Sequence, residues 1–324
     1  MSTAAAAAAV AAVAAALWLG ASAAGCGSKS DVGDGAAPRD GAAAPSARPV
    51  AKLDSVSGAV EHRAGDAVAF ESAHAGLNLR ANDVLKTGTD GFATVAFTEG
   101  GTLDVEPRSL VVIEGPRADP GETSHVLHLD VKEGVVRGAV GGGEGAAPAL
   151  AVSVGAGEYA RLEAEPGTGG AGGAATFRVT AKPSGAPDVA VTSGAGVVVK
   201  GKARVHVGAL EAVDLGGLRA GSAGAVSLPP FPAALAPAVD ATVHLGKRGS
   251  VPLRWKEVGA AAGYHVQVAS DISFRALLVD AEVKEGRYEF RPSAPGVYAW
   301  RVATRGADGR ESEFGFARRL HAVK

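Results

Sequence analysis

Cysteine occurs once in this chain of 324 residues, at Cys26. A disulfide framework and a cysteine-rich metal site are both excluded. Aromatic residues supply only 5% of the chain, and there is one methionine. Lys and Arg number 32 against 34 Asp and Glu, a net charge of −2. The basic balance of a nucleic-acid-binding protein is missing, so no nucleic-acid partner is expected. Large apolar residues at helical spacing are missing beyond residue 25, which argues against an all-α protein. A phosphate loop, a GxSxG elbow and an HExxH helix are absent too, and the acidic residues form no recognisable pair for hydrolysis. The expectation is a chain that is not an enzyme and holds no cofactor and no metal. What is abundant is small. There are 69 Ala and 46 Gly, so the 47% hydrophobic content overstates the side chains that bury large area.

Residues 1–25 carry no charged side chain and end in small residues, the pattern of an export signal. Ala23-Ala24-Gly25-Cys26 resembles the lipobox of bacterial lipoproteins. That resemblance implies lipidation of Cys26 and a membrane held through the lipid anchor, since several acyl chains bind firmly where one does not. Gly27 after the cysteine implies the periplasmic face of an outer membrane. A retained transmembrane helix is the alternative, because 25 residues reach across a bilayer, but no charged stop-transfer cluster follows. Residues 26–49 are dominated by Gly, Ala, Ser, Asp and Pro. Such a segment buries too little apolar surface to offset its ordering entropy and reads as a flexible tether.

From Val50 the pattern changes to short runs of alternating apolar residues broken by Gly every eight to twelve positions, and the expectation for 50–220 is an all-β domain. Leu127, Leu129 and Val131 share one parity while His128 and Asp130 share the other. Lys132-Glu133-Gly134 reads as the turn that follows. Ala93, Val95 and Phe97 alternate in the same way, and Glu99-Gly100-Gly101 leads into Leu103 and Val105. Gly/Ala-rich insertions are expected at 138–149 and 165–175.

Gly58-Ala59-Val60, Ala75-Gly76-Leu77, Asn82-Asp83-Val84-Leu85-Lys86-Thr87-Gly88, Ala93-Thr94-Val95-Ala96-Phe97 and Gly101-Thr102-Leu103 follow one another in the order and spacing of a known pattern. Across about 55–115 the region resembles FecR-type domains, with Asn82 standing where that family usually has Gly. The resemblance implies a β-rich extracytoplasmic domain, a short-strand hairpin stack or solenoid-like roll. In some relatives such a domain is the sensing part of an anti-sigma regulator beside an outer-membrane transporter. Those relatives carry a cytoplasmic helical domain before a membrane helix. The β region here has no such domain ahead of it, so direct sigma-factor control is not expected.

Three candidates for chemistry stand out here. His125 and His128 are three apart, which on a strand points them to opposite faces rather than to one metal. Gly155-Ala156-Gly157-Glu158-Tyr159-Ala160 matches a loose GxGxxA, yet Arg161-Leu162-Glu163 leaves no room for the helix a dinucleotide site needs. A hairpin turn is the better reading, and a similar stretch recurs at Ser193-Gly194-Ala195-Gly196. Lys200, Lys202, Arg204 and His206 share one parity, and on a single strand they would form a possible anionic-ligand face. The alternative is a solvated strand face paired with Glu211 and Asp214, or a guarded sheet edge.

Leu228 to Pro237 is rich in Pro and Ala, and 221–238 reads as a linker. In 239–324, Val251, Leu253 and Trp255 alternate with polar residues, as do Tyr264, Val266 and Val268, and Tyr298, Trp300 and Val302. Phe314 and Phe316 are expected to begin the last strand. About seven short strands in this length suggest an antiparallel β-sandwich. Val251-Pro252-Leu253-Arg254-Trp255, Gly263-Tyr264-His265-Val266 and Gly296-Val297-Tyr298-Ala299-Trp300 resemble a fibronectin type III or immunoglobulin-like module. Tyr298 then stands where such domains place a tyrosine corner. Trp255, Tyr264, Tyr298 and Trp300 share the inward parity, so core is favoured over a carbohydrate-stacking platform.

The sequence therefore predicts an all-β chain: a signal, a tether, a FecR-like β domain and a β-sandwich. The expected function is that of a non-enzymatic envelope protein binding an unknown envelope protein or an anionic glycan such as peptidoglycan. A sensor subunit that acts through a separate membrane partner is the alternative.

Overall fold

The computed structural model describes residues 48–324 apart from 119–124, 143–146, 148, 156–157, 166, 168–172, 183–186, 220, 222–223 and 246–248. Cys26 and the segments read as signal and tether lie outside the described residues. Ser46–Lys324 is one compact unit, and it is almost entirely β.

Its first module begins with β1 (Ala51–Ser57), β2 (Val60–Arg63), β3 (Glu71–Ser72), β4 (Asn78–Leu79), β5 (Asp83–Thr87), β6 (Phe92–Phe97), β7 (Thr102–Val105) and β8 (Leu110–Ala118). It continues through β9 (His125–Gly141), β10 (Leu150–Gly155), β11 (Glu158–Ala164), β12 (Ala174–Ala181), β13 (Asp188–Ser193), β14 (Gly196–Lys200), β15 (Ala203–Val207) and β16 (Glu211–Asp214). After a five-residue helix, α1 (Leu215–Arg219), comes β17 (Val226–Ser227). The chain alternates between two sheets, after one or two strands at first and by successive pairs from β10 onward. One runs β4-β1-β6-β7-β9-β12-β13-β16-β17, and the other β3-β2-β5-β8-β9-β10-β11-β14-β15. Leu53, Leu85, Leu103, Ile113, Leu129, Leu162 and Phe177 fill one core shared by both sheets.

The long strand β9 belongs to both, and here the structure corrects the sequence reading. Lys132-Glu133-Gly134 is not a turn between strands but the corner at which β9 leaves one sheet for the other. Glu133 still pairs with Leu110 of β8, whereas Gly134 pairs with Ala181 of β12. Gly134 has φ +91°, and a Cβ there would lie 2.2 Å from Ser109 Oγ. Only glycine fits such a corner. Ser109 Oγ stitches it by accepting from Val135 N at 3.0 Å and donating to Val135 O at 3.2 Å. The insertion expected at 138–149 begins later for the same reason, since residues 138–141 are the end of β9.

The pattern around Asn82 has a local cause. Asn82 has φ +70°, a left-handed conformation open to Asn and Gly and costly for most residues. The buried Asp83 carboxylate then accepts from Arg80 N at 2.9 Å and Gly65 N at 3.0 Å and pairs with His62 Nε2 at 2.9 Å. Thr87 Oγ1 donates to Glu106 O at 2.6 Å. A short polar motif thus closes a turn whose backbone groups would otherwise be orphaned.

The second module comprises β18 (Ala234–Ala236), β19 (Ala241–His244), β20 (Val251–Trp255), β21 (Ala261–Ala269), β22 (Leu277–Val283), β23 (Arg287–Phe290), β24 (Gly296–Gly306) and β25 (Arg318–Val323). A three-stranded sheet, β18-β20-β23, faces a five-stranded one, β19-β25-β24-β21-β22. Leu253, Trp255, Tyr264, Val266, Phe290, Tyr298, Trp300 and Leu320 fill a second, separate core between them. The aromatic set is therefore core, as its parity implied. Trp255 meets Tyr264 edge to face at 5.5 Å, and Tyr298 Oη donates to Ala294 O at 2.6 Å, the expected tyrosine corner.

Two boundaries differ from the expectation. The stretch 221–238 contains strands at both ends, since β17 pairs with β16 and β18 pairs with β20. Phe314 and Phe316 precede the last strand rather than beginning it, because β25 starts at Arg318.

Candidate functional site: a charged junction between two β modules

Strand register places a polar row across the outer face of the first sheet. Asp104 pairs with Arg137, Arg137 with Arg178, Arg178 with Ala190, and Ala190 with Ala212. The neighbours of these arginines in sequence, Val136, Phe177 and Val179, point the other way into the core, so alternation itself drives the arginines outward. Two like charges directly opposed across strands destabilise a sheet. Yet Arg178 is only 4% exposed, because the second module covers it.

The covering segment is the connection between β24 and β25. Glu313 bonds both arginines, Oε1 accepting from Arg178 Nη1 and Oε2 from Arg137 Nη1, each at 2.8 Å. Arg137 Nε also donates to Glu106. Arg178 donates further to Ser312 O at 3.0 Å and to Glu311 O. Burial alone would lower the Arg137 pKa, but the charges of Glu106 and Glu313 outweigh it and hold the guanidinium above its ordinary value. Arg178 is lowered, by burial first and then by Arg137 beside it.

The outer face of β21 and β24 completes the junction. His265 is clasped by two carboxylates, Nε2 to Asp280 at 2.5 Å and Nδ1 to Glu311 at 3.0 Å. Burial disfavours its charge, but the hydrogen bonds to Asp280 and Glu311 prevail and raise it to about 10. Asp280 and Glu311 are lowered in turn: burial pushes each upward, and the bond to His265 more than reverses it. Asp280 also pairs with Arg108 of the first module. Arg301 lies between the rings of Phe274 and Phe314, at 4.1 and 4.2 Å, and donates to Gln267 at 2.8 Å. A second contact lies at the edge of the same sheet, where Arg275 donates to Ser55 Oγ at 2.9 Å and covers the Phe92 ring at 5.1 Å. Between the modules a cavity of about 270 Å³ remains.

None of these junction residues was singled out by the sequence. The outward parity of Arg137 and Arg178 was available in it, but their partner Glu313 lies 176 and 135 residues away. The residues that were singled out fall elsewhere. Lys200, Lys202, Arg204 and His206 do not lie on one strand: Gly201-Lys202 is the turn of the β14–β15 hairpin, in which Lys200 pairs with Ala203 and Arg204 with Val199. Lys200 is bound to Glu158 at 2.8 Å, and His206 lies 3.4 Å from Glu165. Lys202 and Arg204 are exposed. His128 is buried edge-on against the Tyr159 ring at 4.9 Å, while the side chain of His125 lies outside the described residues. The GxGxxA stretch joins β10 to β11 as a hairpin. Its counterpart at 193–196 instead carries the chain from β13 in one sheet to β14 in the other. Among the described residues no group of three or more His, Cys, Asp or Glu is placed to hold a metal, and no helix is long and apolar enough to cross a membrane.

No family model matches the chain, and no curated protein does. Among solved structures it is similar to an Fn3-like protein from Clostridium thermocellum, with 19% identity over 30% of this chain and 97% of that one and a TM-score of 0.24. It is also similar to the extracellular domain of BT4673 from B. thetaiotaomicron, with 8% identity over 74% of this chain and 35% of that one and a TM-score of 0.23.

Proposed function

We propose that this chain is a non-enzymatic envelope protein, lipid-anchored at Cys26 on the periplasmic face of an outer membrane. In this reading a FecR-type β domain and a fibronectin-like sandwich together serve as a binding and interaction module for an envelope protein or an anionic glycan. The supporting observation is the junction. Strongly perturbed titratable groups gather at functional sites, and here Arg137 and Arg178 are tied to Glu313 and Asp280 to Arg108 across the two modules, while His265 is clasped by Asp280 and Glu311 of its own module. Their chemistry is committed to orientation, which a presenting scaffold requires. Of the row Lys200, Lys202, Arg204 and His206, the exposed Lys202 and Arg204 of the β14–β15 hairpin are the two without a carboxylate partner among the described residues and can meet an anionic polymer.

Two measurements test this reading. Palmitate labelling of cells expressing the chain should be lost in Cys26→Ser, and unchanged labelling contradicts the anchor. Sedimentation with purified peptidoglycan should be salt-sensitive and weakened in Lys202→Glu/Arg204→Glu. Sedimentation indifferent to both salt and substitution contradicts the glycan assignment. The junction also favours a second reading, a sensor subunit in which an event on one module is passed to the other, and recovery of a membrane regulator crosslinked to the chain in intact envelopes distinguishes it.

A further inference from the structure

The cavity between the modules has a floor and walls of different chemistry. Val135, Ala190, Ala212 and Leu228 line the floor, and the last three form a small apolar cluster apart from both cores. The alanines make the room, for they continue the row that carries Arg137 and Arg178. The charged walls are satisfied within the protein, Arg178 by Glu313 and Arg310 by Asp188 and Asp308.

Two lining groups are not. Glu133 and Lys182 are exposed and form no ion pair among the described residues. Glu133 precedes Gly134 at the corner of β9, and Lys182 follows Ala181, the last residue of β12 and the partner of Gly134. Lys182 Nζ comes close to Gly309 of the sandwich, where a Cβ would stand 2.9 Å from it. A carboxylate and an ammonium that line one cavity with an apolar floor complement a molecule that carries both opposite charges on an apolar body. The volume is just under the roughly 300–1,000 Å³ of small-molecule sites, a fit for one amino acid rather than an oligosaccharide.

We propose that this cavity binds a free amino acid with an apolar side chain, its carboxylate on Lys182, its ammonium on Glu133 and its side chain over Ala190 and Ala212. The inference rests on the reading of the chain as a binding module and names a ligand class for it. Calorimetric titration of the full chain with leucine tests it, beside isopentylamine, which lacks the carboxylate, and isocaproate, which lacks the ammonium. Leucine should bind saturably, with each analogue about fivefold weaker or worse, the factor carried by roughly 1 kcal/mol of exposed ion pairing. Lys182→Glu should weaken leucine by a similar factor, and Ala212→Leu should abolish binding while the far-UV spectrum is kept. Absence of saturable leucine binding, analogues that bind as tightly as leucine, or retained affinity in Lys182→Glu overturns the proposal. Palmitate labelling and peptidoglycan sedimentation are independent of these outcomes, so the failure of one reading is distinguishable from that of the other.

Discussion

Arg137 and Arg178 stand directly opposite each other on β9 and β12, and a single carboxylate from the other module, that of Glu313, bonds both at 2.8 Å. The repulsion between the two guanidinium groups is thereby turned into a clamp. A buried charge left without its partner is costly, so the clamp makes the pose of the two modules depend on one side chain.

Glu313→Ala should therefore destabilise the folded chain by about 3–5 kcal/mol, the cost of breaking a buried ion pair from one side. Replacing all four groups together, Glu106→Leu/Arg137→Met/Arg178→Leu/Glu313→Leu, should restore most of the loss, because Glu106, the other partner of Arg137, goes with them and no charge is then stranded. Urea denaturation of the two variants measures both effects. A Glu313→Ala chain within about 0.5 kcal/mol of the parent, the range of ordinary surface substitutions, would show that the clamp carries no weight.

The pH dependence follows from His265. Its pKa is about 10 in the folded chain against an ordinary value of 6.5. A raised pKa contributes stability that is fully present below 6.5 and is lost as pH climbs through about 10. Asp280 and Glu311 are lowered, so their contribution persists above the usual carboxylate range and fails only in strong acid. Thermal midpoints of the parent and of His265→Gln should differ most just below pH 6.5 and converge above about pH 10. A gap that stays constant through that whole range contradicts the assignment.

Trp300 is fully buried and Tyr298 holds the corner of the same strand. Trp300→Ala should cost about 3–5 kcal/mol. Tyr298→Phe should cost only about 1 kcal/mol, the worth of one hydrogen bond. Chemical denaturation followed by tryptophan fluorescence measures both. Equal losses would mean that the corner, not the core, carries the sandwich.

Gly134→Ala places a Cβ against Ser109 at the point where β9 changes sheets. Strain at φ +91° costs of order 1–3 kcal/mol before any clash is counted. Alanine at Gly201, where φ is +58° and open space surrounds the site, should cost less. Midpoints in urea for the two variants check this order, and the reverse order contradicts the corner.

The parity of Leu127, Leu129 and Val131 and that of Tyr298, Trp300 and Val302 revealed the faces that fill the two cores, but not that Val126, His128, Ala299 and Ala303 on the opposite faces are buried too. Corners were harder to read. Gly134 and Gly194 have the same composition as hairpin turns, and nothing local says whether the chain returns to its own sheet or crosses to the other. The Lys200–His206 row failed at Gly201-Lys202 for a related reason: a tight turn inside an alternating run preserves the alternation while reversing the chain. The junction was the least legible. Alternation alone puts Arg137, Arg178 and His265 on outward faces, and only the packing of one module on another, set by contacts more than a hundred residues apart, turns such positions into a buried network.

The clamp of Glu313 on Arg137 and Arg178 should join two separate cores into one cooperative body. Trp255 and Trp300 lie in the sandwich, whereas 17 of the 25 strands among the described residues lie in the first module. On the chain from Cys26 onward, tryptophan fluorescence thus follows one module and far-UV dichroism mainly the other. In urea the two transitions should coincide for the parent, the mark of a single cooperative unit, and should separate in Glu313→Ala. Transitions already separate in the parent, or still coincident in Glu313→Ala, would contradict it.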